Sequence, residues 1–486
     1  MKYLSKAFPS VKIKWRLHEG KEHGVIVDTV PNNTSLVIIP DAGSSQFEEH
    51  KKLKEMGMDV IVLDHHECDE ESKDAIVVNS QLSPEYENKQ FSGVGIVYKF
   101  CKALDEKLGL NYADNYLDLV AIGNIADSQD MRSLETRYFV DKGLKNLKNK
   151  LLVALYEKQA YPTKGIVNIK NTEFYINPLI NACIRVGTME EKTQLMKALL
   201  ESDELIYYKR KKEYEPIEVN TARMLGNVKN KQTKMRDTSI PLIKEKIEEK
   251  GLLMNKLLIV DVTNILDKNL TGLVANKLKD EYQRGTLLFR YNTEKQALTG
   301  SLRGNDKGEL TDLKSFLIDV GKFDFVEGHA NAAGFQIKPE NMIEVNNIIN
   351  EKLKNISNEI YYDVDFIFTT KSLSKTFILE ISKCKDTWSN GVHEPLIAIK
   401  DVEVNSEEIY LNGKTSKTLK FVINGIEYIK FFTREEEWHE LKGKGERLFI
   451  DIIGKGAVNE WNGEVIPQIV IEDYEVTQAK KKKFVF

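Results

Sequence analysis

Short apolar runs, each ending in a polar turn, recur through the first third of the chain. Ser35-Leu36-Val37-Ile38-Ile39-Pro40 has the pattern of a buried strand. It is followed by Asp41-Ala42-Gly43-Ser44-Ser45 as turn and N-cap, then by a charged helix over 46–56. Asp59-Val60-Ile61-Val62-Leu63 and Ala75-Ile76-Val77-Val78 repeat the strand pattern, the former ending in Asp64-His65-His66. Residues 93–108 and 116–126 carry helical periodicity. This alternation predicts a parallel sheet with helices on its faces. From about 130 to about 250 the chain reads as helical and charged, with the mixed-charge runs 209–215 and 244–250 as solvated helix faces. A second α/β unit opens near Lys256 with the strand Leu257-Leu258-Ile259-Val260. A helix over 273–282, the strand Thr286-Leu287-Leu288-Phe289 and glycine-rich stretches at 300–308 and 328–335 follow. Beyond about 360, short alternating runs such as Leu419-Lys420-Phe421-Val422-Ile423 and Leu448-Phe449-Ile450-Asp451-Ile452-Ile453 are separated by Asn424-Gly425 and Asn462-Gly463. They predict a small β-barrel.

Composition narrows the class. At 486 residues the chain exceeds one ordinary core, so several domains are expected. No apolar run reaches the roughly 18 residues of a membrane span. The N-terminus lacks the apolar core and cleavage pattern of a signal peptide. Cys68, Cys101, Cys183 and Cys384 form no CxxC pair, which argues against zinc or a disulfide framework and for reduced thiols in the cytoplasm. A net charge of −4 does not advertise a nucleic-acid binder, but such binding depends on a local groove rather than the total. The tail Lys480-Lys481-Lys482-Lys483-Phe484-Val485-Phe486 reads as a frayed basic end.

The candidate chemistry lies at strand ends, where open α/β sheets gather functional groups. Asp41 and Asp64 each follow a buried strand, and Asp127 ends the apolar stretch 117–126. Taken singly, an Asp in such a place is more often a cap or turn residue. Two histidines directly after Asp64, in a chain with eight, shift the balance towards a carboxylate–imidazole site for a divalent ion such as Mn²⁺.

Asp64-His65-His66-Glu67 after Val60-Ile61-Val62-Leu63 resembles the signature of the DHH phosphoesterases. Within them the chain is similar to the RecJ-type single-strand exonucleases. The likeness rests on His23-Gly24-Val25-Ile26, Pro40-Asp41-Ala42-Gly43, Phe91-Ser92-Gly93-Val94-Gly95, Gly123-Asn124-Ile125-Ala126-Asp127 and Ile176-Asn177-Pro178-Leu179-Ile180-Asn181-Ala182-Cys183-Ile184-Arg185. Gly300-Ser301-Leu302-Arg303 and Glu327-Gly328-His329-Ala330-Asn331-Ala332-Ala333-Gly334-Phe335 resemble the DHHA1 domain. Glu394-Pro395, Asn459-Glu460-Trp461-Asn462-Gly463 and Pro467-Gln468 resemble RecJ's oligonucleotide-binding (OB) fold. Each motif is weak alone; their order and spacing over residues 15–475 are specific.

The resemblance implies an α/β chain: a DHH domain with a parallel sheet over 1–140, a helical connector over 141–250 and a DHHA1 α/β domain over 251–345. A C-terminal OB-type β-barrel over 355–478 and a basic tail over 479–486 complete it. It implies a metal-dependent exonuclease on single-stranded DNA, acting from the 5′ end in repair, recombination or replication. The cofactor would be Mn²⁺ or Mg²⁺, two ions in the complete family site. Asp41, His65 and Asp127 would be metal ligands, Asp64 a supporting carboxylate orienting His65, and His66 the histidine facing the scissile phosphate. Arg303, His329, Gly328, Asn181 and Arg185 would line the phosphate cleft, although Arg185 serves equally well as a surface ion-pair residue. Trp461, Tyr428 and Phe431 would stack on bases, each as readily barrel core. A single-strand-binding protein or a helicase would be partners; a membrane would not.

The first metal motif of the family is missing. Val11-Lys12-Ile13-Lys14-Trp15 looks like the second strand of the sheet, with residues 1–8 the end of the preceding helix, which leaves ligands for one ion. Glu327 replaces a glycine, Leu179 and Ile184 replace an arginine and a glycine, and Ser128-Gln129-Asp130 replaces apolar residues. Two other readings stay open. One is a phosphodiesterase on short oligonucleotides or cyclic dinucleotides. The other is a catalytically impaired single-strand-binding component, as in the inactive relative within the eukaryotic replicative helicase.

Overall fold

Three apolar runs pair because each must satisfy its backbone while burying its side chains. In the computed structural model Leu36–Pro40 (β1), Asp59–Asp64 (β2) and Ile76–Asn79 (β3) form a parallel sheet in that order. The structure describes residues 1–480 except Lys21, Asn358, Thr415 and Asn462, and for Trp461, Ala479 and Lys480 the backbone alone. The basic tail after Lys480 lies outside the described residues. Pro40 pairs with Leu63 and Asp64 with Asn79, so Asp41, Asp64 and Asn79 emerge together at one edge. Alternate residues of β2 feed opposite cores. Val60 and Val62 pack with Leu53 of helix Phe47–Glu55, whereas Leu63 packs with Ile96 and Tyr98 of helix Gly93–Leu108.

The helices Leu117–Ala126, Lys150–Lys158, Asn177–Val186 and Met189–Leu199 share an apolar core with the start of helix Ile217–Glu249. That helix is 33 residues long, about 50 Å at 1.5 Å per residue. Its far end places Ile240, Ile243 and Ile247 in the core of the second α/β unit, so one rod is embedded in both lobes. In this unit strand Leu258–Asp261 pairs in parallel with Thr286–Asn292. Ala297–Arg303, Ala332–Ile337 and Phe325–His329 follow in antiparallel order. Helix Met342–Lys352 contributes Val345 and Ile349 to a second core on the opposite face of this sheet, which continues past residue 345 to Leu353.

The C-terminal sheet has seven strands in the order Phe366–Thr369, Leu396–Asn405, Arg447–Trp461, Glu464–Lys480, Ile426–Lys430, Thr418–Ile423 and Tyr410–Asn412. Bulges in the long strands bend it around a core that includes Ile399, Phe421, Ile450 and Ile469. Asn424 and Gly425 both have positive φ, as a two-residue hairpin turn requires. Of the second expected turn, Asn462 lies outside the described residues. The chain matches the expected α/β organisation with a C-terminal barrel. Among the described residues no helix is long and apolar enough to cross a membrane.

Three local expectations fail. Residues 11–15 form no strand: the segment has no regular secondary structure and is largely solvent-facing, without a neighbour to complete a ladder. The 41–45 turn does not cap its helix. Gln46 occupies the cap position but makes no side-chain capping bond, its amide being bound to Val25, while Ser44 is drawn towards Asp64 and Asn79. Residues 209–215 are not a helix face but part of a hairpin, Leu205–Tyr208 against Glu213–Pro216.

Candidate metal and phosphate site

The edge of the parallel sheet concentrates the chemistry. Asp41 leaves β1 with φ +61°, and its N–H donates to Leu63 O at 2.8 Å, which pins the turn against β2. Asp64 is 1% exposed. Its Oδ1 accepts from the N–H of His65 at 2.8 Å and from His66 Nδ1 at 2.7 Å, and its Oδ2 accepts from Ser44 N–H at 3.1 Å. Burial pushes the Asp64 carboxyl up, but these hydrogen bonds outweigh it and hold the group well below the usual carboxylate range. The expected pairing of Asp64 with the His65 ring is not what forms. Asp64 holds the His65 backbone, and its ring partner is His66.

The His65 ring instead lies between two carboxylates, Nε2 being 3.2 Å from Asp41 Oδ1 and 3.4 Å from Asp127 Oδ2. Ligand atoms of Asp41, Asp64, His65 and His66 lie within 4.8 Å of one another. The bond to Asp64 raises the basicity of His66, and Asp41 and Asp127 add to it. His23, whose ring is edge-on to that of His66 at 5.9 Å, opens the segment that Gln46 ties down through Val25 N–H at 2.7 Å.

Several supporting residues had no role assigned from the sequence, and Asn79 was not named at all. Asn79, at the end of β3, donates to Ser44 Oγ at 2.8 Å and to His66 O at 2.9 Å. Its strand-end position is the same signal that marks Asp41 and Asp64. Asn124 is fully buried and accepts from Ser92 N–H at 3.0 Å, joining the helix that leads to Asp127 to the start of helix Gly93–Leu108. Gln129 Nε2 donates to Asp127 Oδ2 at 2.6 Å. The turn after Asp127 is also held from the barrel: Met131 N–H donates to Asn390 O at 2.9 Å, and Asn390 Nδ2 donates to Ser128 O.

Gly93 faces Asp41 so closely that a Cβ would overlap the carboxylate. Gly93→Ala is therefore expected to displace Asp41 and lower the rate of any chemistry at this edge about a hundredfold, the scale of a 1 Å misplacement, while the unfolding midpoint changes little. Steady-state rates beside a thermal melt test this, and unchanged rates would show that Asp41 has room to spare.

A second group of charges lies between the lobes. Arg185, on helix Asn177–Val186, is open to solvent yet surrounded by protein and has no ion-pair partner among the described residues. Burial lowers the Arg303 guanidinium from its ordinary value, and Arg185 repels it further. Lys229 is lowered by burial and by Arg236 and Arg185. Arg236 is paired with Asp237 at 2.7 Å, whereas Arg185, Lys229 and Arg303 have no ion-pair partner among the described residues. Beside them is a cavity of ≈ 360 Å³ reached by Arg185, Lys192, Lys231, Glu19 and Asp267. Asn181 shares the Arg185 helix. Arg303, Ala332 and His329 lie in register across three strands, so Arg303 and His329 share a face about 10 Å apart. Gly328 has φ +132°, and its carbonyl accepts from Lys314 Nζ at 2.9 Å. No contact joins His329 to the Asp41 cluster among the described residues.

Residues 2–124 match the DHH family, N-terminal domain, and residues 364–473 match the RecJ OB domain. The SPbeta prophage-derived protein YorK of Bacillus subtilis, which carries the name of a single-strand DNA-specific exonuclease, is 51% identical over 492 residues. These span 100% of this chain and 85% of that one. The chain belongs to the RecJ-like single-strand DNA-specific exonuclease family. Bacillus subtilis RecJ itself is 28% identical over 460 residues, covering 91% of this chain and 54% of that one. The fold follows that of Thermus thermophilus RecJ in complex with Mn²⁺, with TM-score 0.70 and 19% identity, over 93% of this chain and 63% of that one.

The RecJ-like barrel corrects one expected stacking residue. Tyr428 is 1% exposed and stacks on Phe421 with an interplanar angle of 4°, so it is core and not a base platform. Phe431 is half exposed, and its neighbour Phe432, not anticipated, is more open still. The side chain of Trp461 lies outside the described residues.

Proposed function

We propose that this chain hydrolyses single-stranded DNA from the 5′ end with the help of a divalent cation, at the sheet edge bearing Asp41, Asp64, His65, His66 and Asp127. The observation that carries the reading is the meeting of two solvent-open carboxylates, Asp41 and Asp127, on one ring nitrogen of His65. Carboxylate oxygens and an imidazole in that arrangement fit Mn²⁺ or Mg²⁺, and Asp41, His65 and Asp127 would hold one such ion. When bound, the ion would supply Lewis-acid polarisation of a phosphoryl oxygen.

The remaining work falls to the chain's own groups. Asp64 accepts from His66 Nδ1–H and favours the protonated ring, and in that imidazolium form Nε2 donates a hydrogen bond to the substrate phosphate. Arg303 offers a forked donor and Arg185 a second charge for the flanking phosphate. Gly328 serves the strand pairing, where a Cβ would overlap Ala332 O and Ala333, and it places His329 beside it; Asn181 lies on the Arg185 helix. The barrel holds the incoming strand, with Phe431 as a stacking platform.

The test is digestion of 5′- and 3′-labelled strands in Mn²⁺ and after chelation. Nucleotide release from the 5′ end, lost on chelation and restored by Mn²⁺, is expected. Retained binding without product would support the catalytically impaired binding component instead. Faster cleavage of fragments of about two to five nucleotides than of long strands would support an oligonucleotide phosphodiesterase.

A further inference from the structure

The hairpin at 205–216 is more than a connection between helices. Tyr207 and Tyr214 are directly opposite one another, their rings 5.3 Å apart, and both are exposed. Leu205 and Pro216 continue the same outward face. The other face is the anchor. The Arg223 guanidinium stacks on Tyr208 at 3.6 Å and pairs with the buried Glu215, to which Asn220 Nδ2 also donates at 2.7 Å.

At the tip, Lys209-Arg210-Lys211-Lys212 are consecutive and exposed. Lys211 is 3.3 Å from Glu213. Among the described residues Lys209, Arg210 and Lys212 have no ion pair, and Lys212 sits at φ +57°. Of the acids flanking the hairpin, Glu215 is occupied by Arg223 and Glu204 by Lys197 at 2.7 Å. A cross-strand tyrosine pair can staple a hairpin by itself. Four adjacent cations cannot, since their mutual repulsion works against the turn.

The basic character continues along the helix that the hairpin adjoins. Between residues 219 and 236 of helix Ile217–Glu249 there is no carboxylate; of the cations there, Arg223 is held by Glu215 and Arg236 by Asp237 at 2.7 Å, whereas Lys229, Lys231 and Lys234 have no ion pair among the described residues. Arg223, Lys231 and Lys234 lie within about 80° of one another around the helix. Lys231 reaches the cavity that Arg185 lines. The run from Arg223 to Arg236 is about 20 Å long.

We propose that the 205–216 hairpin and this helix face form a track for single-stranded DNA, extending outward from the Arg185 cavity, with phosphates on the cations and bases on Tyr207 and Tyr214. The proposal rests on the single-strand DNA reading above. Aromatic rings lying open beside cations suit unstacked bases, whereas the bases of a duplex are already stacked on one another.

The experiment compares the full chain with Lys209→Gln/Arg210→Gln/Lys212→Gln, and separately with Tyr207→Ser, checking the fold of each by circular dichroism. Binding to a strand of about forty nucleotides is measured against salt in Ca²⁺. Hydrolysis of a strand of about five nucleotides is measured in Mn²⁺. For the triple variant, binding of the long strand is expected to weaken about tenfold, and the slope of log affinity against log salt to fall by about 2, at about 0.7 per phosphate contact. Hydrolysis of the short strand should be unchanged, because that substrate does not reach the hairpin. Tyr207→Ser should weaken long-strand binding with no change in salt slope. Unchanged long-strand affinity and slope in the triple variant, while the parent binds and cleaves, would overturn the track and leave the active-site reading standing. Tighter binding of a blunt duplex than of the single strand by the parent would overturn the assignment of the track to single strands. A parent that neither binds nor cleaves would overturn both readings.

Discussion

Asp127→Ala is expected to leave a chain that still binds single-stranded DNA but cleaves it about a thousandfold more slowly or worse. Asp127 is one of two carboxylates against His65 Nε2, and it stands in a turn rather than in a core, with its side chain largely open to solvent. Its removal costs little folding energy, because the turn keeps its bonds from Asp127 N–H to Gly123 O and from Met131 N–H to Asn390 O. It takes one anionic ligand from a three-ligand set. A cation's contribution of several kcal/mol to the transition state depends on that set, and about 4 kcal/mol corresponds to about a thousandfold in rate. Single-turnover cleavage beside a filter-binding isotherm separates the two effects. Near-normal cleavage by the variant would remove Asp127 from the ligand set.

Asp64→Ala should act on the fold as well as the rate. The lost carboxylate accepts from His65 N–H, the His66 ring and Ser44 N–H, in a place closed to water. Its loss strands these donors and is expected to cost about 3–5 kcal/mol in the parallel-sheet lobe, the range for removing one partner of a buried charged network. The acid sensitivity has a definite sign. The Asp64 carboxyl is held below the ordinary range in the fold, so its stabilisation is complete above the unfolded-state value near 4 and is lost as pH falls below it. Asp64→Asn should therefore flatten the acid limb of stability while lowering the neutral plateau. Calorimetry at several pH values tests this, and an acid limb as steep in Asp64→Asn as in the parent would count against it.

The strand-end carboxylates were legible because a short apolar run that stops at an Asp carries both its burial and its terminus in its own letters. Residues 11–15 were misread because alternation states a capacity to pair, whereas a strand needs a neighbour that no local pattern supplies. The 209–215 run was misread for a different reason: mixed charge is equally at home on a helix face and in a hairpin, and the deciding contact, Arg223 on Tyr208, is with a separate element. Tyr428 could not be placed from its strand, since Ile426, Glu427, Tyr428 and Ile429 are all buried and no face is marked as outward. Asp64's choice of His66 over His65 as ring partner is a matter of loop shape after β2, which composition does not encode.

The loop around Asn390 has a bearing on how this enzyme family member can be dissected. Arg137 Nη1 donates to Thr387 O at 3.0 Å, Asn168 Nδ2 to Asp386 Oδ1 at 2.6 Å, and Gly391 lies so near Asp130 that a side chain there would collide with it. All of these meet the stretch that follows Asp127 or the helices behind it. The barrel is therefore not a detachable accessory. Excising it would strip hydrogen-bond partners from the loop that carries a candidate ligand, so a shortened chain with no activity would say as much about a collapsed loop as about a lost grip on DNA.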